Sequence, residues 1–390
     1  MRKLLIIVFM LVLNQNTRAQ YSPYDEVSYE LLMTKQWEEL LEVSEKAICE
    51  GYTLDYLYMR AGYASFQLQR YMKSATYYEK ALEHCTDAAM KDAIRYYLYW
   101  NYVYIGDYVH AIKVYDVKIR DSKNKNVAPA PKLLHLANTE FGIKLSSDEA
   151  LYKTLYYSQV GLGFRVFNKA TAFVSASHLN QEAYYGRLNQ QQIFVTGNIP
   201  LRKQWSIMPS FHFISYYHSN MQNGLSENEF SANPIVASLA VSKRLHNWRT
   251  SLGIAFSDFN KTTQWQQQVG ISYYPFFNSK LETGIQLTHL YNNNISYLLY
   301  GAQLRYWALK RLSISSNYLL ANTNNFNEQN GWLATNAFDK TNYRVQAGIE
   351  YMLYDNLSLY GLWQYETRQE SVSKTNYNLN MALIGIKLIR

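Results

Sequence analysis

From about Leu133 to the end of the chain, apolar and polar residues alternate with a period of two. The clearest segment has one apolar face and one polar face, formed respectively by Tyr343, Val345, Ala347, Ile349, Tyr351 and Leu353 and by Asn342, Arg344, Gln346, Gly348 and Glu350. Because successive side chains of a β-strand point to opposite faces of a sheet, this pattern predicts strands with one apolar face. The second part of the chain is therefore expected to be all-β.

Alternation alone fits two architectures, because a soluble sandwich turns its apolar face inward whereas a membrane barrel turns it toward lipid. Strand length favours the barrel, since soluble strands run to about 5 or 6 residues and tilted membrane strands to about 9–11. Aromatic pairs lie at segment ends, where a membrane barrel has its interfacial girdles: Tyr216-Tyr217, Tyr273-Tyr274, Phe276-Phe277 and Tyr306-Trp307. The low charged fraction, 17%, beside 16% aromatic residues agrees with this reading.

Turn signals predict the topology of this barrel. Short connections recur at every second junction and are expected on the periplasmic side: Asn168-Lys169, Pro200 to Gln204, His246-Asn247, Pro275 to Ser279, Ala308 to Lys310 and Tyr354 to Asn356. Longer polar connections, Ser219 to Ala232 and Asn322 to Thr341, are expected outside the cell. With Leu133 to Leu145 as the first strand, the sequence predicts about fourteen antiparallel strands over 133–390, or about twelve if the first pair is peripheral.

The chain begins with a segment typical of a secretory signal peptide. Arg2 and Lys3 precede an apolar run from Leu4 to Leu13, and a polar stretch ends at Ala19. About ten apolar residues are too few to cross a bilayer, which needs about twenty. We therefore expect residues 1–19 to be removed and the protein to reach the outer membrane of a Gram-negative bacterium.

Between these parts lies a helical pattern that repeats. Trp37, Tyr71 and Tyr108 each open a helical segment, and the pair Lys46-Ala47 recurs 34 residues later as Lys80-Ala81. That spacing is the tetratricopeptide period. The second unit fits best, through Gly62, Tyr71, Ser74, Tyr78 and Ala81. The sequence predicts periplasmic tetratricopeptide-like helices over 20–122, with an ordinary helical bundle as the alternative, and a linker over 123–132.

Two cysteines fall in the helical part, at nearly equivalent positions of neighbouring repeats. Cys49 and Cys85 are the two cysteines of the chain. An exported protein meets an oxidising compartment, which permits a disulfide. Equivalent positions on stacked repeats usually lie beyond the ~7 Å Cα separation that a disulfide tolerates, so two free thiols are the favoured alternative.

A signal peptide, tetratricopeptide-like helices and a Tyr-rich barrel in this order resemble the YaiO-type outer-membrane β-barrel family. The resemblance lies in architecture, covers nearly the whole mature chain, and implies no activity or site residue. One feature departs from common barrels, because the chain ends at Ile389-Arg390 instead of an aromatic residue. The apolar face of the last strand is expected to come from Tyr377, Leu379, Met381 and Leu383.

The polar faces of the predicted strands define the expected lumen. Its residues are mostly amides: Arg165, Gln190, Gln192, Gln264, Gln266, Gln268, Glu282, Gln286, Arg344, Gln346, Glu350 and Gln364. Amide and aromatic side chains can bind sugars, which suggests a path for a polysaccharide. The alternative is that these side chains hydrogen-bond to one another and plug the barrel.

The sequence has no phosphate-binding loop, no metal-spaced His/Cys cluster and no nucleophile elbow, and it predicts neither cofactor nor metal. Barrel-borne catalysis would need histidines and carboxylates near strand ends, and the candidates are His178, His212, His218 and His289 with Asp258, Glu366 and Asp339. Inert interfacial histidines are the favoured alternative. An enzyme is therefore not the primary prediction.

The predicted function is an outer-membrane pore or scaffold that assists export or assembly of a surface polysaccharide. Alternatives are an enzyme that modifies lipid or surface glycan and a purely structural envelope scaffold. After residue 150 the chain has 20 Lys+Arg against 11 Asp+Glu, which favours contact with anionic lipid and lipopolysaccharide. The helical repeats predict a periplasmic protein partner, a polysaccharide is a possible ligand, and nucleic acid is excluded as a partner by export.

Overall fold

The computed structural model describes residues 23–115, 133–150, 152–166, 170–183, 186–222, 225–259, 262–328 and 333–389. The predicted signal peptide, 1–19, and the predicted linker, 123–132, lie outside these residues. The described chain divides into two compact units, one ending at Asn101 and one beginning at Tyr102.

Six α-helices occupy the described part of the chain before residue 116: α1 Asp25–Met33, α2 Trp37–Cys49, α3 Asp55–Gln67, α4 Tyr71–His84, α5 Ala88–Tyr104 and α6 Tyr108–Tyr115. Three of them begin at the aromatic residues that the repeat predicts, Trp37, Tyr71 and Tyr108. None of the described helices is long and apolar enough to cross a membrane. A helical region before the barrel is thereby confirmed, while its tetratricopeptide nature stays a prediction.

The small residues of the second predicted repeat allow α3 and α4 to approach closely. A Cβ on Gly62 would lie 3.0 Å from two ring carbons of Tyr78, which is itself 1% exposed. The Ser74 hydroxyl donates a hydrogen bond to the Gly62 carbonyl over 2.7 Å, and Asn101 donates to the Ser74 hydroxyl over 2.9 Å. A larger residue at Gly62 would therefore force the two helices apart.

The second part of the chain forms one antiparallel sheet of fifteen strand segments: β1 Leu134–Ser146, β2 Tyr152–Val166, β3 Ala170–Ala183, β4 Gly186–Pro200, β5 Trp205–Gln222, β6 Leu225–Ala232, β7 Ile235–Leu245, β8 Trp248–Phe259, β9 Thr262–Tyr273, β10 Leu281–Asn292, β11 Ile295–Leu309, β12 Leu312–Glu328, β13 Leu333–Tyr354, β14 Leu357–Gln369 and β15 Asn376–Ile389.

The sheet closes on itself because β1 pairs with β15. β6 and β7 pair with successive lengths of the same strand, β5, and so occupy one position in the sheet. The result is a closed barrel of fourteen antiparallel strands, and the larger of the two predicted strand numbers is confirmed.

Exposure of the strand side chains distinguishes this barrel from a soluble sheet. Large apolar residues lie on the outside, and Phe141, Leu252 and Ile285 are each 60% exposed or more. Polar residues fill the inside, where Gln264 and Glu366 are both fully buried. Because this arrangement reverses that of a water-soluble protein, the outer surface suits hydrocarbon and the lumen suits polar groups.

Two expectations about the strands are wrong. The described parts of the predicted external loops, Ser219 to Ala232 and Asn322 to Thr341, are largely strand, because β5, β6, β12 and β13 continue pairing there. In β15 the face that carries Tyr377 and Leu379 points into the lumen, where these residues are 5% and 3% exposed, while Ile384 of the opposite face is 69% exposed. Both faces of this strand carry apolar residues, so alternation could not orient it.

The barrel has two ends that differ in their connections. Those predicted short connections that the structure describes lie together at one end, which we call the turn end, and Leu134 and Ile389 lie there too. The opposite end, which we call the loop end, carries the hairpin formed by β12 and β13.

Candidate binding site in the barrel lumen

The β12–β13 hairpin leaves the barrel wall near the loop end. The pairing of β12 with β13 shifts register between Leu320 and Thr323 and again before Asn325. Asn322, within this stretch, has a φ of 55°, a left-handed conformation that interrupts the regular extended backbone of β12. Such irregularities bend a hairpin sharply. We call residues 321–328 and 333–341 the infolded hairpin.

The infolded hairpin crosses the lumen and contacts strands that are not its neighbours in the sheet. Asn327 and Gln266 of β9 exchange two hydrogen bonds, and the Asn327 amide donates to the Ser257 hydroxyl of β8 over 3.3 Å. Ala334 belongs to a buried cluster with Ile214, Tyr216, Val236 and Phe259. In the order of the sheet, β5 lies half-way round the barrel from β13. The hairpin is therefore anchored to the opposite wall.

The other leg of the hairpin is anchored by hydroxyl groups. The buried carboxylate of Asp339 accepts hydrogen bonds from the Tyr152 hydroxyl over 2.5 Å and from the Tyr377 hydroxyl over 2.7 Å. The backbone N–H of Ser371 donates to the same carboxylate over 3.1 Å. Three segments, β2, β15 and the β14–β15 connection, thus hold one carboxylate of the hairpin.

A second buried carboxylate, Glu366, lies at the centre of a group of cations. Its oxygens accept from Lys144 Nζ at 3.0 Å, from Arg368 Nε at 2.9 Å and from Arg344 at 3.4 Å. Arg344 also pairs with Glu328 of the infolded hairpin. We call Lys144, Glu328, Arg344, Glu366 and Arg368 the lumen ion cluster. Burying such charges is costly unless they are paired, so this cluster ties the hairpin to the wall.

Two cavities lie in the lumen, one on each side of this cluster. The first chamber has a volume of about 350 Å³ and is bounded by β1 to β5 and β13 to β15. The second chamber, of about 420 Å³, is bounded mainly by β8 to β13 and is lined mostly by polar groups. Arg344, Gln346 and Asn317 line both chambers and so form part of the partition.

The sequence-predicted lumen residues occupy both chambers and the partition. Buried members are Gln190, Gln264, Gln266, Arg344 and Gln364. Partly buried members that line a chamber are Gln192, Gln268, Glu282, Gln286 and Gln346. Arg165 and Glu350 lie partly buried toward the turn end, and Glu350 pairs with Lys387. Their roles as solute contacts stay a prediction.

The catalytic candidates are dispersed. His178 and Asp258 are exposed on the outside of the barrel, His289 alternates with the buried Thr288 and Leu290, and the side chain of His218 lies outside the described part. His212 is 2% exposed, with Nε2 2.9 Å from the Gln192 amide oxygen. Glu366 and Asp339 are held by the cations and hydroxyls described above. No group of three metal-ligating side chains occurs among the described residues.

Sequence reasoning missed several residues that define the first chamber. Lys144, Gln159 and Arg368 line it, and Tyr152 and Tyr377 connect it to the hairpin. The alternation contains the signal for Lys144, because Glu140, Gly142 and Lys144 alternate with the exposed Phe141, Ile143 and Leu145. It contains no signal for Tyr377, which lies on a face that was expected to meet lipid.

A helical segment docks on the turn end within the unit that begins at Tyr102. Lys113 donates to the Leu201 carbonyl over 2.6 Å, and Ser279 donates to the Tyr104 carbonyl over 3.1 Å. Between them, Asp107 Oδ2 lies 3.0 Å from an Arg244 guanidinium nitrogen. These contacts involve the β4–β5 connection, the end of β7 and the β9–β10 connection. Residues 104–113, the docked segment, therefore lie against an arc of the turn end.

Asp107 of the docked segment contacts two basic side chains, His110 and Arg244. Burial would raise the pKa of its carboxyl, but the hydrogen bond with His110, whose Nδ1 lies 3.0 Å from Asp107 Oδ1, and the charge of Arg244 outweigh burial. The pKa of Asp107 is therefore held well below its usual range. Asp107 in the docked segment is therefore ionised at neutral pH.

No protein-family model matches the chain, and no curated protein matches it. Solved barrels are similar in shape. The chain is similar to the CymD monoaromatic hydrocarbon channel, at 10% identity and a TM-score of 0.49 over 66% of this chain and 89% of that one.

Two further solved structures are similar. A TodX mutant, also a monoaromatic hydrocarbon channel, has 9% identity and a TM-score of 0.46 over 69% of this chain and 93% of that one. A Pseudomonas aeruginosa FadL homologue has 7% identity and a TM-score of 0.43 over 66% and 89% of the two chains. The fourteen-strand assignment rests on the strand pairing itself, and the YaiO-type resemblance stays a prediction.

Proposed function

We propose that this protein is an outer-membrane β-barrel that admits a small solute through a lumen closed by the infolded hairpin. The observation that carries the proposal is the hairpin crossing to the opposite wall, with Ala334 packed among residues of β5, β7 and β8. The apolar outer surface supports a membrane location, and the short connections support a periplasmic position for the turn end. Passage then requires the hairpin to leave at least one of its anchors.

Chamber size supports a small solute. Volumes of about 350 and 420 Å³ match pockets for single small molecules, which usually measure about 300–1,000 Å³. Export of a polysaccharide chain, as expected from the sequence, is the less well supported alternative, because the infolded hairpin crosses the lumen and is held there by Arg344. The helical repeats, as a periplasmic adaptor for a protein partner, complete the proposal.

Single-channel recording in planar bilayers tests the role of the hairpin. The full chain is compared with a variant in which residues 325–340 are replaced by Gly-Gly, after both are shown to refold as heat-modifiable barrels in SDS electrophoresis. The hairpin variant is expected to conduct steadily and several-fold more than the unaltered protein. Replacement of Asn293-Asn294, a loop-end turn, by Gly-Gly is the control and is expected to leave conductance unchanged.

Either of two results would contradict the proposal. An unaltered protein that conducts as well as the hairpin variant shows that the hairpin does not close the lumen. A hairpin variant that inserts but stays silent shows that other residues close it. A large conductance of the unaltered protein that is blocked by a polysaccharide would instead favour polymer export.

A further inference from the structure

The first chamber is lined by apolar, polar and cationic side chains. Its apolar residues include Leu155 of β2, Leu179 of β3, and Leu188 and Phe194 of β4, which lie beside inward-facing polar residues of the same strands. Strands β1, β13 and β14 contribute the cations Lys144, Arg344 and Arg368. The inward-facing Leu379, Met381 and Leu383 of β15 add apolar surface between the strands of Lys144 and Arg368. A ligand that fills this chamber must itself have an apolar part and a polar part.

A buried amide in this chamber has an unused donor. Gln159 is 7% exposed, and its amide oxygen accepts a hydrogen bond from the Tyr157 hydroxyl over 2.6 Å. That bond orients the amide, but its nitrogen, Nε2, has no acceptor among the described residues. The Nε atom of Arg344, which is 4% exposed, also lacks an acceptor within the described chain. Buried N–H groups without partners are costly, so these donors point to a ligand oxygen.

The cations offer further donors. Lys144, Arg344 and Arg368 meet Glu366, and Arg344 also meets Glu328, although an ammonium carries three N–H donors and a guanidinium five. Glu140 also lines the chamber, but its carboxylate already accepts from the Tyr360 hydroxyl over 2.6 Å and from Asn138 over 3.3 Å. The three cations thus carry more N–H donors than the carboxylates of Glu366 and Glu328 can accept.

We propose that the first chamber binds a small organic acid, a carboxylate attached to a compact apolar body. The carboxylate lies toward Lys144 and the Gln159 amide nitrogen, and the apolar body lies against Leu179 and Phe194. A volume of about 350 Å³ suits a body of about one ring. This assignment rests on the proposed function, because the ligand reaches the chamber only when the infolded hairpin moves.

Calorimetric titration of the full-length protein in detergent micelles tests the ligand class. Sodium benzoate is the probe, benzamide supplies the same ring without the charge, and acetate supplies the charge without the ring. Benzoate is expected to bind saturably at one site and at least tenfold more tightly than either of the others. If benzamide binds as tightly as benzoate, the chamber does not recognise a carboxylate. If acetate binds as tightly as benzoate, the chamber does not recognise an apolar body.

Two variants place the ligand in the chamber. Gln159→Met removes the unused donor and breaks no ion pair, and Lys144→Met removes one cation while Arg344 and Arg368 still neutralise Glu366. Each is expected to weaken benzoate binding by roughly tenfold or more, the usual effect of losing a hydrogen bond to a charged group. Gln191→Met, on the exposed outside of β4, is the matched control and is expected to bind benzoate normally.

The results distinguish an error in the proposed binding site from an error in the proposed gate, that is, closure of the lumen by the infolded hairpin. An absence of benzoate binding, or an unchanged affinity in the Gln159→Met variant, contradicts the binding site even if removal of the hairpin opens a conductance. Benzoate binding that depends on Gln159, in a protein whose hairpin variant stays silent in bilayers, supports the site and contradicts the gate alone.

Discussion

At the scale of single residues, the turns inside the three helix pairs share one conformation. Lys35, Gln69 and Gly106 have positive φ values of 59°, 59° and 74°, and each lies two positions before the helix that begins at Trp37, Tyr71 or Tyr108. The left-handed conformation brings the Cβ atom too close to the backbone, so it is unfavourable for most residues but not for glycine, which has no Cβ. The same backbone solution in three successive pairs supports the predicted repeat, although only the third pair uses glycine.

This conformation predicts an unusual stabilising substitution. Lys35→Gly is expected to raise the free energy of unfolding of the helical unit by about 1 kcal/mol, because it removes the strain of a Cβ at positive φ. Glu42→Gly, at an exposed position inside α2, should lower that free energy by about 1 kcal/mol. Denaturant unfolding followed by circular dichroism measures both, and a loss of stability in both variants would contradict the argument.

At the scale of elements, buried ion pairs hold two segments against the barrel. The infolded hairpin is held by Arg344 with Glu328 and Glu366, and the docked segment by Arg244 with Asp107. Removing one partner of a buried pair usually costs about 3–5 kcal/mol, because the other charge stays buried. Each segment is therefore expected to lose its position more readily when one partner of its ion pair is removed.

The lowered pKa of Asp107 predicts a pH dependence for the docked segment. A carboxyl whose pKa is lower in the folded protein contributes stability above its ordinary pKa of about 4 and loses it as the pH falls toward the lowered value. Thermal unfolding of the unaltered protein and of Asp107→Asn should therefore differ most at neutral pH and converge in strong acid. A difference that does not change with pH would show that the charge of Asp107 is not what holds the segment.

At the scale of the whole molecule, the two faces of the barrel wall experience different surroundings. Ile285, 66% exposed, points outward from β10, and its neighbour Gln286 lines the second chamber. A charged residue on the outer face must enter hydrocarbon, whereas the same residue in a polar lumen keeps water and polar partners. Because successive side chains of a strand point to opposite faces of the closed sheet, adjacent residues such as Ile285 and Gln286 meet these two different surroundings.

A pair of adjacent substitutions tests this separation. Ile285→Arg is expected to lower the free energy of unfolding in phospholipid vesicles by about 2–4 kcal/mol, the cost of arginine near the middle of a bilayer. Gln286→Arg is expected to cost much less, because it lies in the polar lumen. Equal losses in denaturant titrations of the two variants would mean that the outer face does not contact lipid.

The candidate site shows which lumen residues the alternation of apolar and polar residues can predict and which it cannot. Arg344, Gln346 and Gln364 could be assigned to the lumen because each alternates with apolar neighbours in a long strand. Tyr377 and Leu379 could not, because the last strand carries apolar residues on both faces. The partners of Glu366 come from β1, β13 and β14, and nothing in the spacing of Lys144 and Glu366, 222 residues apart, indicates that they meet.

The sequence by itself determined the period of the strands, their number and the helical region before them, because backbone geometry imposes these patterns on neighbouring residues. The course of residues 321–328 and 333–341 was decided only by the tertiary structure. Their polar composition suggested an external loop, yet buried partners on the far wall, Gln266 and Ser257 among them, hold the hairpin inside. Such partners are distant in sequence, and only closure of the barrel brings them within hydrogen-bonding distance.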